Sequence, residues 1–248
     1  MSVAYVTLDN PPANSYDLGV MQAFARDVGE AIASDARVVV VRSASEKFFS
    51  AGADVKKFLD GDVEANMEMI RTSQSAFARM AAADQVFIAY INGHALGGGL
   101  EIALACDIRL ASPGSYKLGT PEVTLGLLPG NGGTQRMTRL LGPSRAMDLL
   151  LTGRTFAADE ALERGLVQHV YPIGELMARA MELAQQMASK SPVALYYAKE
   201  STNRALHGDI GGNLVHEADL YSLMFSTEDA KEGLRAFVEK RNPTFVGA

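Results

Sequence analysis

Two short runs of apolar, largely β-branched residues constrain the fold of this chain most. Val38–Val41 reads VVVV and Val86–Ile91 reads VFIAYI, each bounded by polar residues. Strands without polar alternation are typical of parallel sheets that are covered on both faces. Helical patterns lie between them, and this alternation predicts an α/β fold. Shorter strands are predicted at Ile108–Ala111 and Tyr116–Leu118, and helices at Leu18–Ala33, Val63–Ala82, Gly98–Cys106, Gly133–Leu141 and Ser144–Leu151.

After about Pro172 only helical patterns follow. Gly174–Ala188 has amphipathic spacing, and Pro192 begins another helix at a first-turn position that tolerates proline. Further helices are predicted at Glu217–Phe225 and Glu228–Lys240. We therefore divide the chain into a core, residues 1–190, and a helical region, residues 191–248. A helical tail rich in Met, Phe and Tyr predicts a homo-oligomer, and packing of the tail on its own core is the alternative.

Composition and charge exclude several classes of protein. With 248 residues, 48% hydrophobic and 21% charged, the chain is not of the disordered class. A net charge of −6 argues against nucleic acid or an anionic membrane as a partner. The sequence contains no apolar run of the ~18–20 residues that cross a bilayer, and no signal peptide, so a cytoplasmic location is expected. Cys106 is the single cysteine, and no Cys/His spacing predicts a metal site.

One segment combines glycines with a carboxyl group. The strand that ends at Ile91 leads through Gly97-Gly98-Gly99 into a predicted helix. Glycine lets backbone approach a ligand closely, and the first N–H groups of a helix attract negative charge; a tightly packed turn is the alternative. Glu101 follows in apolar surroundings, where an unpaired carboxylate costs several kcal/mol. Glu101 is therefore a candidate catalytic carboxyl, and an ion pair with Arg109 or Arg136 is the structural alternative.

Two further segments place backbone and carboxyl groups at the ends of elements. Phe48–Val55 reads FFSAGADV after a buried strand, and its Ala-Gly-Ala backbone is free to face a ligand, although an ordinary loop is the default interpretation. Glu122 precedes an apolar run, and Pro129–Gly133 forms a second Gly-rich turn before a helix. Two carboxyl groups beside two Gly-rich backbone sites predict an acid/base pair next to an oxyanion hole.

In this order the motifs resemble the enoyl-CoA hydratase (crotonase) family. The resemblance covers nearly the whole chain. Each short motif alone is a weak signal, but the resemblance is specific because all of the motifs occur in the family's order. The matching residues are Asn10–Pro12, Phe49–Asp54, Asn92-Gly93, Gly97–Glu101, Cys106–Arg109, Pro121-Glu122, Pro129-Gly130, Gly132–Arg136, Ala161–Val167 and Phe237–Arg241.

The resemblance implies a fold and a set of site residues. The family fold is a superhelix of repeated ββα turns, closed by a helical C-terminal region that builds trimers or dimers of trimers. By resemblance, the Ala51 and Gly98 N–H groups form the oxyanion hole for an acyl-CoA thioester, and Glu101 and Glu122 are the catalytic carboxylates. Gly130 helps to hold the reacting water. Coenzyme A belongs to the substrate, no separate cofactor is implied, and the CoA-binding residues are Ala53, Asp54, Val55 and Lys240, the last from a neighbouring subunit.

The pair of glutamates indicates which reaction to expect. Related isomerases commonly keep the acid at the Glu122 position and lack the one at Glu101, so retention of both favours a hydratase that converts a trans-2-enoyl-CoA to a 3-hydroxyacyl-CoA. An enoyl-CoA isomerase or another crotonase-type reaction is the alternative, and a non-catalytic acyl-CoA-binding scaffold is a remote one. Asn14–Asp17 and Asn131 depart from the pattern, because many relatives have an apolar residue after the asparagine and a small apolar residue between the two glycines. Both departures predict an altered acyl preference.

Overall fold

Ten strands and eleven α-helices make up residues 2–248, the part of the chain that this computed structural model describes. The strands are β1 (Ser2–Leu8), β2 (Ser15–Tyr16), β3 (Ala36–Ser43), β4 (Phe48–Ser50), β5 (Gly52–Ala53), β6 (Val86–Ile91), β7 (His94–Leu96), β8 (Ile108–Ala111), β9 (Leu118–Gly119) and β10 (His169–Val170). The helices are α1 (Leu18–Ala33), α2 (Val55–Asp60), α3 (Val63–Ala82), α4 (Gly98–Ala105), α5 (Gly133–Leu141), α6 (Pro143–Thr152), α7 (Ala158–Glu163), α8 (Ile173–Ala188), α9 (Pro192–Arg204), α10 (Ile210–Phe225) and α11 (Glu228–Glu239), and a 3₁₀ helix covers Pro121–Leu125.

The strands form three parallel sheets. The largest has the order β1-β3-β6-β8-β10, the second has the order β4-β7-β9, and β2 pairs with β5. In the largest sheet, β1 and β6 are each followed by one short strand of a smaller sheet and then a helix, β3 is followed by two short strands and then α2, and β8 is followed by β9 and the 3₁₀ helix. This repeated strand–strand–helix turn is the ββα superhelix that the resemblance implies, and the predicted α/β class is confirmed.

Both faces of the largest sheet are buried. Val38 and Val40 pack in a core with α8, whereas Val39 and Val41 pack in the larger core with α1, α3 and α4. All four side chains are fully buried, and each contributes about 1.5–3 kcal/mol of hydrophobic stabilisation. The unbroken apolar run of β3 is therefore required by the two cores, as the sequence predicts.

The C-terminal helices attach to the superhelix through α9. The Lys199 ammonium group donates to the carbonyl groups of Met80 at 2.7 Å and Gln85 at 2.8 Å, and it pairs with Asp107 at 3.0 Å. Beyond α9, large apolar side chains are exposed on α10 and α11, among them Ile210 and Phe237. The division of the chain near residue 190 stays a prediction.

Several predicted bounds are wrong. The strand expected at Tyr116–Leu118 is β9 at Leu118–Gly119, and the helix expected from Glu217 already begins at Ile210. Seven short elements were not predicted, namely β2, β4, β5, β7, β10, α2 and α7, and neither was β1.

Candidate active site

The site is built around the N-terminal end of α4. Gly97 is the N-cap residue, with a φ of 54° that favours glycine, and the N–H groups of Leu100 and Glu101 both donate to its carbonyl oxygen. The Gly98 and Gly99 N–H groups belong to the first helical turn and have no acceptor within the helix. Two backbone donors at the positive end of a helix therefore face away from α4, where they favour negative charge.

Strand β5 lies directly against this helix end. A Cβ atom on Gly52 would lie 2.7 Å from the Leu96 carbonyl oxygen and 3.1 Å from the Gly98 nitrogen, and Gly52 has a φ of 86°. Only glycine therefore allows β5 and α4 to approach this closely.

The ladder between β2 and β5 decides which backbone N–H groups are free. The Ala51 N–H donates to the Ala13 carbonyl at 3.0 Å, and the Asp54 N–H donates to the Tyr16 carbonyl at 2.8 Å. Neighbouring N–H groups along a strand point in opposite directions, so the N–H of Ala53, next to that of Asp54, points away from β2, and β5 has no other strand partner in residues 2–248. The expectation that Ala51 offers a free donor is therefore wrong, and Ala53 is the residue of this segment whose N–H is available.

Glu101 is buried in the first turn of α4, with 1% of its surface exposed. Its Oε1 accepts hydrogen bonds from the backbone N–H groups of Asn131 at 2.8 Å and Gly133 at 2.7 Å. Burial raises the pKa of Glu101 to about 7; the two N–H donors and Arg136 act against this rise, and the charge of Glu122 adds to it. A carboxyl group in this state exchanges protons near neutral pH.

The alternative interpretation of Glu101 as half of an ion pair is wrong. Arg109 donates to the carbonyl groups of Leu166 and Cys106, both at 2.6 Å, and Arg136 donates to the Asn131 carbonyl at 2.9 Å. Neither guanidinium forms a salt bridge with Glu101 in the described chain.

Glu122 approaches the same helix end from the 3₁₀ helix. Its Oε1 lies 3.0 Å from the position that a Cβ atom on Gly97 would occupy. Its Oε2 is buried without a hydrogen-bond partner among residues 2–248, and burial raises the pKa of this carboxyl group. Both carboxyl groups thus meet at the start of α4, and both hold a proton more tightly than they would in water.

The remaining predicted site residues lie in the loop before α5, at the start of α2 and at the end of α11. Gly130 lies in the loop that bonds Glu101, and its carbonyl accepts from the Gln74 side chain at 2.7 Å. Asp54 is the N-cap of α2, where its side chain accepts from two backbone N–H groups, and Val55 is the exposed first residue of that helix. Lys240 is exposed at the end of α11, away from this group, with a φ of 54°. Its predicted role requires a second copy of the chain.

Sequence reasoning related Asn131 and the segment of Tyr16 to acyl preference only and did not place either residue beside Glu101. Both are buried, and the Asn131 side-chain amide donates to the Tyr16 hydroxyl at 2.8 Å. Their signal was present in the sequence, because both lie where the chain departs from the pattern of the family. Their proximity was hidden by a separation of 115 residues.

The described residues offer little support for a cysteine nucleophile, a metal site or a membrane-spanning helix. Cys106 is buried, and its thiol donates to the Ile102 carbonyl at 3.6 Å; burial raises the pKa of the thiol to about 12. Across residues 2–248 no group of three or more His, Cys, Asp or Glu side chains is arranged to hold a metal ion. None of the helices in this part of the chain combines the length and apolar character needed to span a bilayer.

Comparison with known proteins decides the family. A family model described as enoyl-CoA hydratase/isomerase matches residues 1–248. The chain belongs to this family. The enoyl-CoA hydratase/isomerase fold is shown independently by the crystal structure of an enoyl-CoA hydratase from Bacillus anthracis, which is 38% identical with a TM-score of 0.94, over 99% of this chain and 96% of that one.

Curated members of the family are similar over almost their full length. A short-chain-enoyl-CoA hydratase of Clostridium acetobutylicum is 40% identical, over 96% of this chain and 92% of the relative. A 2,3-dehydroadipyl-CoA hydratase of Escherichia coli is 37% identical, over 99% of this chain and 95% of the relative. This member of the enoyl-CoA hydratase/isomerase family is therefore an enzyme, a carbon–oxygen lyase of the hydratase type.

Proposed function

We propose that this enzyme adds water across the C2=C3 double bond of a trans-2-enoyl-CoA to give a 3-hydroxyacyl-CoA. The observation that carries the proposal is the meeting of two proton-holding carboxyl groups, Glu101 and Glu122, at the start of α4. Hydration delivers a proton to C2 and a hydroxide equivalent to C3, so it needs an acid near C2 and a base that activates water near C3.

The oxyanion hole is assigned to the N–H groups of Gly98 and Ala53. Attack of water at C3 moves negative charge onto the thioester oxygen, and preorganised backbone donors stabilise that charge. Gly98 contributes a free first-turn N–H, and β5 brings Ala53 beside it through the close approach at Gly52. Loss of one such donor typically costs about 3–4 kcal/mol of transition-state stabilisation.

Glu101 is the base in this proposal, and Glu122 is the acid. Two backbone N–H groups donate to Glu101 Oε1, which favours its ionised form, whereas Glu122 Oε2 has no hydrogen-bond partner in the described chain. Burial raises the pKa of Glu101, and the charge of Glu122 raises it further, so ionisation of one carboxyl group disfavours ionisation of the other. The ionised carboxylate deprotonates water, which the Gly130 loop helps to hold, and the protonated one donates to C2.

Substrate binding and assembly complete the proposal. The CoA part lies along Ala53, Asp54 and Val55, and Lys240 of a neighbouring subunit approaches its phosphates. Residues 1–190 carry binding and catalysis, and residues 191–248 build a trimer or a dimer of trimers. Coenzyme A is part of the substrate, so the proposed reaction requires no separate cofactor. We propose that the enzyme acts in the cytoplasm.

The test uses crotonyl-CoA and the purified protein. A hydratase removes the absorbance of the conjugated enoyl thioester and gives a product that is heavier by one water, which mass spectrometry detects. A product of unchanged mass with a shifted double bond would identify an isomerase instead. Binding of crotonyl-CoA without any reaction, repeated with longer enoyl-CoA substrates, would indicate the non-catalytic scaffold.

A further inference from the structure

Two buried polar side chains meet beneath the proposed site. Tyr16 comes from β2 and Asn131 from the loop between the 3₁₀ helix and α5, and they are 3% and 4% exposed. The Asn131 Nδ2 donates to the Tyr16 hydroxyl at 2.8 Å. The Asn131 Oδ1 is buried and accepts no hydrogen bond from the described residues, so the Tyr16 contact alone holds this carboxamide.

The Tyr16 hydroxyl also touches the start of α4. A Cβ atom on Gly98 would lie 1.6 Å from the phenolic oxygen, so the hydroxyl occupies the space of the missing side chain. Burial raises the pKa of Tyr16, as do the charges of Glu101 and Glu122, and the phenol therefore stays protonated. The hydroxyl is a fixed, neutral group between the helix that carries Glu101 and the loop that carries Asn131.

Asn131 connects this hydroxyl to Glu101 through its backbone. Its N–H donates to Glu101 Oε1 at 2.8 Å, and its carbonyl accepts from Arg136 at 2.9 Å. The direction of the N–H depends on the orientation of the residue, which the side-chain contact with Tyr16 and the carbonyl contact with Arg136 set together. A change at the Tyr16 hydroxyl is thus transmitted to Glu101 over two direct hydrogen bonds.

We propose that Tyr16 and Asn131 form a positioning pair for Glu101: the phenol anchors the Asn131 side chain, and the anchored residue aims its backbone N–H at the carboxylate. This inference rests on the proposed function, because Glu101 needs a fixed orientation only if it handles the reacting water. Asn131 is one departure from the family pattern, and Tyr16 lies in the segment Asn14–Asp17 that contains the other. They act together, since each side chain supplies one partner of the same buried hydrogen bond.

The physical reason is the cost of leaving one partner alone. Removal of the phenolic hydroxyl leaves the Asn131 amide buried with no acceptor, and such groups move to find one. If the loop moves, the hydrogen bond from the Asn131 N–H to Glu101 weakens, while Glu122 and Arg136 remain the charged neighbours of Glu101. A weaker donor favours the protonated carboxyl, which raises the pKa of Glu101 and moves activity to higher pH.

The experiment compares Tyr16→Phe, Asn131→Ala and the double variant, with Tyr116→Phe as the matched control. Tyr116 also loses a hydroxyl hydrogen bond, to the Ser112 carbonyl, but it does not contact the site. For Tyr16→Phe we expect kcat for crotonyl-CoA hydration to fall about 10- to 100-fold, with KM within about 2-fold, because orientation rather than binding is lost. Its pH–activity profile should move to higher pH, and Tyr116→Phe should change neither quantity.

The double variant separates a shared contact from two independent effects. Since both substitutions remove the same hydrogen bond, the double variant should lose little more activity than Asn131→Ala alone. If the wild type is active and Tyr16→Phe has the same kcat and pH profile, the positioning pair is wrong. Should Tyr16→Phe not fold, Asn131→Ala is judged by the same criterion. A wild type that does not hydrate enoyl-CoA substrates would instead overturn the proposed function.

Discussion

At the scale of single residues, burial of Glu101 has a cost in stability that its proposed catalytic role would explain. The carboxyl group is 1% exposed and lies among apolar side chains of α4, so its charged form is disfavoured. Two backbone N–H groups offset part of that cost but leave the pKa at about 7. A group with such a pKa titrates near neutral pH, which suits proton transfer and not the stability of the fold.

Glu101→Gln is therefore expected to stabilise the protein at alkaline pH. The pKa is raised from 4.5 to about 7 on folding, so the stability of the wild type falls as the pH rises between these values. The variant does not ionise, and its advantage grows to at most about 3 kcal/mol at pH 8. Thermal unfolding at pH 5 and pH 8 measures this difference, with the exposed Glu68→Gln as the control. An equal advantage at both pH values would contradict a raised pKa.

The residues of the site differ in how far the sequence predicts them. Glu101 and Glu122 stand out as carboxyl groups in apolar surroundings, and the structure brings them together. The choice between Ala51 and Ala53 depends on which backbone N–H groups bond the neighbouring segment, and the Ala51–Ala13 and Asp54–Tyr16 hydrogen bonds that decide it join residues distant in sequence. The Tyr16–Asn131 contact joins distant segments, so no local pattern contains it.

At the scale of elements, the length of a helix or strand decides whether the sequence predicts it. The long helices α1 and α3 have the predicted bounds, because repeated amphipathic spacing fixes them. The strands β2 and β5 have two residues each, too few for any periodicity, and they exist because neighbouring turns of the superhelix pair. These unpredictable strands carry Tyr16 and Ala53, so the elements that build the site are those with the weakest signal.

The loop before α5 gives a prediction at this scale. A Cβ atom on Gly133 would lie 3.0 Å from Glu101 Oε1 and 2.9 Å from the Pro129 side chain. Gly133→Ala should displace the N–H that bonds Glu101 and lower kcat by about 10-fold or more, with a smaller change in KM. Gly174→Ala on α8 is the control, since open space surrounds that position and alanine favours helix there. Steady-state kinetics and thermal unfolding are measured for both variants. If Gly133→Ala and Gly174→Ala have the same kcat, the proposed role of the Gly133 N–H is wrong.

At the scale of the whole molecule, the C-terminal helices leave an apolar surface uncovered. The exposed fractions of Ile210, Phe237 and Val238 are 78%, 85% and 80%. Large apolar side chains exposed in number on one region of a folded chain are typical of an interface between proteins. The surface supports the proposed assembly, in which Lys240 of one copy completes the site of another.

Light scattering of the purified protein measures that assembly. We expect the mass of a trimer or a dimer of trimers, and we expect Phe237→Glu to reduce it, because a buried charge weakens an apolar interface. Leu59→Glu is the control, since Leu59 is equally exposed, at 84%, on α2 outside the C-terminal region. A wild type with the mass of one chain would contradict the proposed assembly.

Turnover of crotonyl-CoA by Glu101→Gln and Glu122→Gln tests the central claim most directly. Each variant keeps the shape of the side chain and removes its ability to exchange a proton, so kcat should fall by about 100-fold or more in each. Affinity for crotonyl-CoA, measured by calorimetry, should change little, because the backbone N–H groups of Gly98 and Ala53 remain in place. Near-wild-type turnover by either variant would contradict the account of two carboxyl groups acting as acid and base.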